Sequence, residues 1–357
     1  MKHRKVLKIT AIVLLSLILI FCVASPIIVQ VLFNDTFSRT VRPQHDLTTS
    51  LLYEDLAGQY SREPVSFLSG ENLLRGHLYA PVSPGKEGLV VISHGLGGGE
   101  ESYLSEAKYF LDRGYQVLAY SNTGCWESEG KTCIGLSQSV LDLDAALTWV
   151  ESTPQLEGVP IYLFGHSWGG YAVAAVLAFD HQITASASIS GFNDPMTMIM
   201  EWGEDMLGPA IYLEYPFIWI NQKLTFGKIF DLTAVDAINS TDTPILIIHG
   251  TGDNTVSYTN AGIIASRDRI TNPNAQYYIR DKAPQNDHNH LFESLAKRAY
   301  ADEKNAEYDE LYRQYNGDIP ESEVRNFCAD VDRFLANEPD EEFMDTVLAF
   351  YQQSAKG

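Results

Sequence analysis

Apolar residues fall along this chain in three different arrangements, and each predicts a different kind of element. From Ile9 to Phe33 they form a nearly uncharged run of 25 residues. At about 1.5 Å per residue, such a helix is long enough to cross a hydrocarbon core of about 30 Å. Between residues 65 and 280 they come instead as short blocks of strand length, at 65–68, 74–80, 89–93, 115–121, 160–164, 184–189, 244–249 and 276–280. Helix-like stretches lie between most of these blocks. Several blocks, such as Leu89-Val90-Val91-Ile92, are continuously apolar, the mark of strands covered on both faces. The pattern predicts an α/β fold with a mostly parallel central sheet and helices on both faces.

The alternation breaks between Gly191 and Thr243, so an insertion over about 192–243 is expected to cap the sheet. It carries Met196, Met198, Met206, Trp202 and Trp219, which suit either the cap's own core or a bed for an apolar acyl chain or side chain. In the acidic tail, about 296–357, the spacing of Phe343, Val347, Phe350 and Tyr351 suits one helix docked on the sheet. The expected organisation is an anchor over 1–33, a connecting segment over 34–59 and one domain over 60–357.

Charge sharpens the reading of the N-terminus. Lys2, Arg4, Lys5 and Lys8 precede the apolar run, and no acidic residue occurs before Asp35. The positive-inside bias then keeps the N-terminus in the cytoplasm and sends the remainder outside as a single-pass protein. Cys22-Val23-Ala24 offers small residues for signal cleavage and hence secretion, but the run continues past it from Ile27 to Phe33, favouring an uncleaved anchor. Without those four cations, 21 Lys and Arg face 46 Asp and Glu, which makes nucleic acid a poor partner. No protein partner is expected. Cys125 and Cys133 flank a short loop, and in an oxidising compartment they suit a disulfide.

The candidate chemistry centres on Gly165-His166-Ser167-Trp168-Gly169, which follows the block Ile161-Tyr162-Leu163-Phe164 and opens a helix-like stretch. A serine in such a turn is held in strained geometry with its hydroxyl at a helix N-terminus, where a developing anion is favoured. A serine hydroxyl needs a base, and the base needs a carboxylate to fix its tautomer. The acid and then the histidine are expected on later loops after strands. Asp253, in the turn after Ile245–His249, is assigned as the acid. The loop Asp287-His288-Asn289-His290 supplies the base: His288 is preferred and His290 is the alternative. A metal held by these two histidines would lack further ligands, so no metal or cofactor is assigned.

An anion hole is expected from His94-Gly95-Leu96-Gly97-Gly98-Gly99 after the third block, with Leu96 and Trp168 N–H as donors. A P-loop would end in Gly-Lys-Ser/Thr and a dinucleotide fingerprint would have glycine where Glu100 stands, so both readings of the glycines fail.

With these motifs, together with Arg113-Gly114-Tyr115, Ser128-Glu129-Gly130 and Gly250-Thr251-Gly252-Asp253, the stretch from about Leu89 to Phe292 resembles α/β-hydrolases of the serine aminopeptidase and monoacylglycerol-lipase-like type. Membrane-anchored bacterial hydrolases are similar over nearly the whole chain. The resemblance implies an α/β-hydrolase fold with a cap, and a catalytic set of Ser167, Asp253 and His288. It also implies hydrolysis of a carboxylic ester, lipid and acyl esters included, with peptide hydrolysis and acyl transfer as alternatives on the same residues. A non-catalytic surface-binding role is the rival from another class. Three positions depart from the family pattern: Ser121 stands for Asp, Trp126 for Gly, and Asp287 for the Gly before the histidine.

Overall fold

The computed structural model describes residues 2–356 apart from 83, 84 and 86; Met1 of the expected anchor and Gly357 of the expected tail lie outside the described residues. Eight strands form one sheet: β1 (Tyr60–Ser69), β2 (Asn72–Pro81), β3 (Leu89–Ser93), β4 (Gln116–Ser121), β5 (Ile161–His166), β6 (Ala185–Ile189), β7 (Ile245–Gly250) and β8 (Ala275–Arg280). Their order is β1-β2-β4-β3-β5-β6-β7-β8. The first two are an antiparallel hairpin, and β2 joins β4 antiparallel. Every other pairing is parallel. The central strands β3, β5, β6 and β7 are buried at every residue, as continuous apolar blocks between two helical layers should be.

Helices α2 (Leu104–Asp112), α3 (Gln138–Ser152) and α4 (Trp168–Ala175) lie between these strands. Two apolar clusters result. One holds Leu89, Val91, Leu163 and α4, and the other holds Val90, Ile92, Phe110, Phe164 and the last helix, Glu341–Ser354. Alternate residues of β3 thus face opposite layers, as the period-two pleat requires. In the last helix Phe343, Val347, Phe350 and Tyr351 are all buried, and the Tyr351 hydroxyl donates to Leu163 O at 2.6 Å.

The insertion between β6 and β7 forms α5 (Pro195–Leu207) and α6 (Ile211–Phe226) before a short helix, Ala234–Asn239. Asp194 caps α5 by accepting from Thr197 N, and Pro195 occupies its first turn. The N-terminal helix α1 (Lys2–Thr36) is apolar and exposed along its first two-thirds; its last third, with Val29 and Phe33 buried, packs on α6. Beyond α1, Phe37, Leu51, Leu52 and Leu56 are buried against the domain, so the segment over 34–59 is docked rather than free.

Candidate active site

The parallel strands end at one edge of the sheet, and the loops leaving those ends converge, which is where open α/β sheets form their crevices. Ser167 occupies the turn from β5 to α4 with φ +57° and ψ −114°, a conformation that costs about 1–3 kcal/mol for a residue with a Cβ. The two glycines of the motif make the turn sterically feasible. A Cβ on Gly165 would lie 2.2 Å from Gly169 O, and one on Gly169 would lie 1.9 Å from Ser93 O on β3. The strained serine is thus clamped between a strand and its own helix.

The loop after β8 brings His288 over this turn. The Ser167 hydroxyl donates to His288 Nε2 at 2.9 Å, and His288 Nδ1–H donates to Asp253 Oδ2 at 2.8 Å. Asp253 sits in the turn after β7, where its Oδ1 accepts from Thr255 N and Val256 N, each at 2.9 Å. Burial alone would raise the Asp253 carboxyl. Hydrogen bonds from His249 and His288 and from the Val256 amide overcome it and hold the group well below the ordinary carboxylate range. An ionised acid therefore faces the histidine on the side away from the serine. His290, the other candidate base, pairs instead with Asp287 of its own loop at 2.5 Å.

Leu96 and Trp168 border the same place. Leu96 lines an open cleft of about 480 Å³ together with Gly95, Ser167, His288 and Trp202. Trp168 is the first residue of α4, so its N–H is one of the donors that the helix itself leaves free. Its indole is turned into the core, where Nε1 donates to Leu136 O at 2.7 Å.

A layer of buried polar residues behind these groups was missed by motif reasoning. His94 Nδ1–H donates to Gly95 O at 2.7 Å and its Nε2 accepts from Asn122 N at 3.0 Å, pinning the glycine loop to the end of β4. The Tyr103 hydroxyl donates to His166 Nδ1 at 2.7 Å, and His166 Nε2–H donates to the His288 carbonyl at 2.9 Å. Burial drives both histidines toward neutrality, His94 down to about 4 and His166 down to about 3. His249 Nε2 lies 2.9 Å from Val256 O and 3.3 Å from Asp253 Oδ2, beside the acid. In place of the family's Asp, the Ser121 hydroxyl accepts from Glu100 N at 3.1 Å. Asp142 receives Ser69, Thr123 and Gln138 and so braces the β4 loop.

The acidic pair ending the glycine run is neutralised from the N-terminal side. Glu101 binds Arg42 at 2.6 Å and Arg62 at 2.5 Å, and Glu100 faces Arg62 and His77. Trp126 adopts φ +45°, a conformation that explains why glycine is common there, and packs its ring over Gly99. Cys125 and Cys133 are buried thiols with sulfurs 3.4 Å apart.

Comparison with known proteins agrees with this architecture. Residues 84–226 match the Hydrolase_4 family, described as serine aminopeptidase, S33. The quorum-quenching protein AidA of Acinetobacter baumannii is 27% identical over 139 residues, 38% of this chain and 46% of that protein. The polyketide transferase af380 of Aspergillus fumigatus is 28% identical over 134 residues, 36% of this chain and 45% of that protein. The matched stretch thus spans about half the length of these curated relatives. Among solved structures, the Pyrococcus furiosus esterase Pf2001 superposes with a TM-score of 0.52 at 18% identity, over 78% of this chain and 98% of that one. The sheet and this superposition show the α/β-hydrolase fold, and residues 84–226 within it carry the similarity to the serine aminopeptidase family.

Proposed function

We propose that the chain is a serine hydrolase that cleaves a carboxylic ester, held at a membrane by α1 with its catalytic domain outside the cytoplasm. The observation that carries this reading is the continuous line from Ser167 Oγ through the His288 ring to Asp253, 2.9 Å and 2.8 Å per step, at the carboxyl edge of the sheet. In the forward step Ser167 Oγ attacks the ester carbon and passes its proton to His288 Nε2. Asp253 stabilises the imidazolium and holds its tautomer. The oxyanion is met by the N–H groups of Leu96 and Trp168. Collapse expels the alcohol with the proton from His288, and water then repeats the sequence on the acyl-serine to release the acid. No cofactor enters any step.

An ester is placed ahead of a peptide on the one cap residue that lines the cleft, the apolar Trp202; Glu293 and Lys297 line it from the segment after β8, and the substrate panel below decides between the two. The membrane location rests on the sequence of α1, whose long apolar run from Ile9 is exposed and preceded by basic residues in its first turns. A fluorophosphonate probe tests the nucleophile: the parent protein is labelled and Ser167→Ala is not, whereas equal labelling refutes the assignment. A panel of acyl esters and aminoacyl amides should show faster turnover of the esters.

A further inference from the structure

A second apolar cavity, of about 160 Å³, lies between the last third of α1 and the cap helices. Its floor is buried and includes Val29, Ile199 and Ile218; its rim is exposed and equally apolar, with Ile28, Leu32 and Met206. Trp202 lines this cavity and also lines the cleft that holds Ser167 and His288. Trp202 is thus common to the wall of the candidate nucleophile's cleft and to a space walled in part by the anchor. We infer that this cavity receives the acyl chain of a membrane lipid ester whose carbonyl lies at Ser167. This rests on the hydrolase and membrane readings above and adds a substrate class to them.

Geometry favours a chain that arrives from the bilayer. A hydrocarbon core of about 30 Å takes about 20 residues of helix. Counted from Ile9, the first residue after Lys8, those residues end at Ile28. Yet α1 already touches the cap before that point. Phe21 meets Phe217 edge-on with centroids 5.6 Å apart, and Ser25 Oγ donates to Glu214 Oε1 at 3.1 Å. If the cap stood clear of the membrane, too few residues would remain to span it. The start of α6 therefore lies within the outer leaflet beside α1, and the cavity rim at Ile28 and Leu32 opens at the boundary between acyl chains and headgroups. The exposed stripe of α6, with Tyr212, Tyr215, Trp219 and Ile220, is the aromatic and aliphatic surface expected at that depth. Polarity then orients the occupant. The ester carbon must reach Ser167, so the hydrocarbon end lies here among Val29, Ile199 and Ile218, while Glu214 on the same wall is held by Ser25.

The full-length protein in lipid nanodiscs tests this with esters of two to sixteen acyl carbons and with a brominated fatty acid, which quenches nearby indoles. The parent protein should prefer long chains. Leu32→Trp, which fills the rim, should lower turnover of twelve-carbon and longer esters at least tenfold while changing the four-carbon ester less than twofold. Val29→Ala, which deepens the floor, should move the optimum to longer chains and decides the matter should Leu32→Trp lose activity on every ester. In a Ser167→Ala background the brominated acid should quench, and Trp202→Phe should remove that component. Quenching unchanged by Trp202→Phe, or parallel chain-length profiles for parent and variants, overturns the cavity assignment while leaving hydrolysis standing. Loss of all ester turnover in the parent with Trp202 quenching intact overturns the hydrolase reading and supports the acyl site.

Discussion

The carboxyl edge of the sheet and the unit formed by α1 with the cap distribute apolar and polar residues differently between inside and outside. At the sheet edge the apolar residues are inside and the buried ionisable groups His94, His166, Asp253 and Glu101 all have partners at hydrogen-bond distance, although the Asn122 side chain and His249 Nδ1 have none. In the cap apolar residues lie on both sides, and Ile211, Ile218 and Phe226 of α6 are buried. Leu213, Trp219, Ile220 and Leu224 of α6 are exposed, while its polar Gln222 is buried and Asn221 donates to Gln30 of α1 at 2.8 Å. A contiguous apolar surface of this kind is uncommon on a protein surrounded by water. The first region is organised by pairing costs that are high in a low dielectric; the second would be explained by an apolar phase against its outer face, as proposed above.

The largest effect should come from breaking the pairing at the sheet edge without altering its shape. Asp253→Asn keeps the volume but gives up the charge that holds the His288 tautomer, and loss of the corresponding carboxylate in another serine hydrolase lowers kcat about 10⁴-fold. The same order of loss is expected here, with the urea midpoint showing that the fold persists. Retention of more than a tenth of the parent's kcat would remove Asp253 from the mechanism. Gly169→Ala tests the packing that underlies the pairing. The added Cβ would meet a backbone carbonyl at 1.9 Å, which no side-chain rotation relieves. A stability loss of about 3 kcal/mol is expected, together with loss of fluorophosphonate labelling, because β3 and α4 must separate around Ser167.

Proton linkage extends the same comparison. His94 and His166 are buried with pKa values lowered to about 4 and about 3, against an ordinary value of 6.5. As pH falls below that ordinary value the unfolded chain takes up these protons and the folded chain does not, so stability falls with pH. The slope is up to about 1.4 kcal/mol per pH unit for each histidine, and it ends as pH passes through the folded values. Asp253, held below its unfolded pKa, adds its own loss only at still lower pH. Urea midpoints at pH 7, 6 and 5 should therefore decline steadily. Phenylalanine at His166 should flatten part of that slope, and an unchanged slope would place the acid sensitivity elsewhere.

How much of this was legible from the sequence follows the range of the interactions. The blocks at β3, β5, β6 and β7 stood out because burial on both faces removes polar residues from them. The hairpin strands β1 and β2 start earlier than their apolar cores at Val65 and Leu74, since Tyr60–Pro64 pair at an edge where polar side chains meet water. The turn of Ser167 was legible because its strain imposes small residues on both sides. His94, His166 and His249 were not, because a buried histidine leaves no local pattern: the partners of His166 are 63 and 122 residues away. The pairing of Glu101 with Arg42 and Arg62 was hidden for the same reason. The cap's residues were visible, but which of them face inward depends on α1, a helix that begins more than 150 residues earlier.

The smallest expected effect discriminates most sharply between the two regions. Leu163 in β5 and Leu224 in α6 are the same residue type in ordered elements, one fully buried and the other 84% exposed. Leu163→Ala should cost about 2–5 kcal/mol, the range for emptying a packed site. Leu224→Ser removes a side chain with few protein neighbours, so in detergent micelles its unfolding free energy should change by less than about 0.5 kcal/mol. If protein packing alone accounted for the apolar stripe, the substitution would be silent in a bilayer as well. Should α6 rest in the outer leaflet, the serine removes apolar area from lipid, and Trp219, five residues earlier in the same helix, becomes more accessible to aqueous iodide in nanodiscs while unfolding in micelles stays the same. Equal iodide quenching of the two forms would return the stripe to the status of ordinary exposed surface, and with it the contrast between the cap and the sheet edge would lose its physical cause.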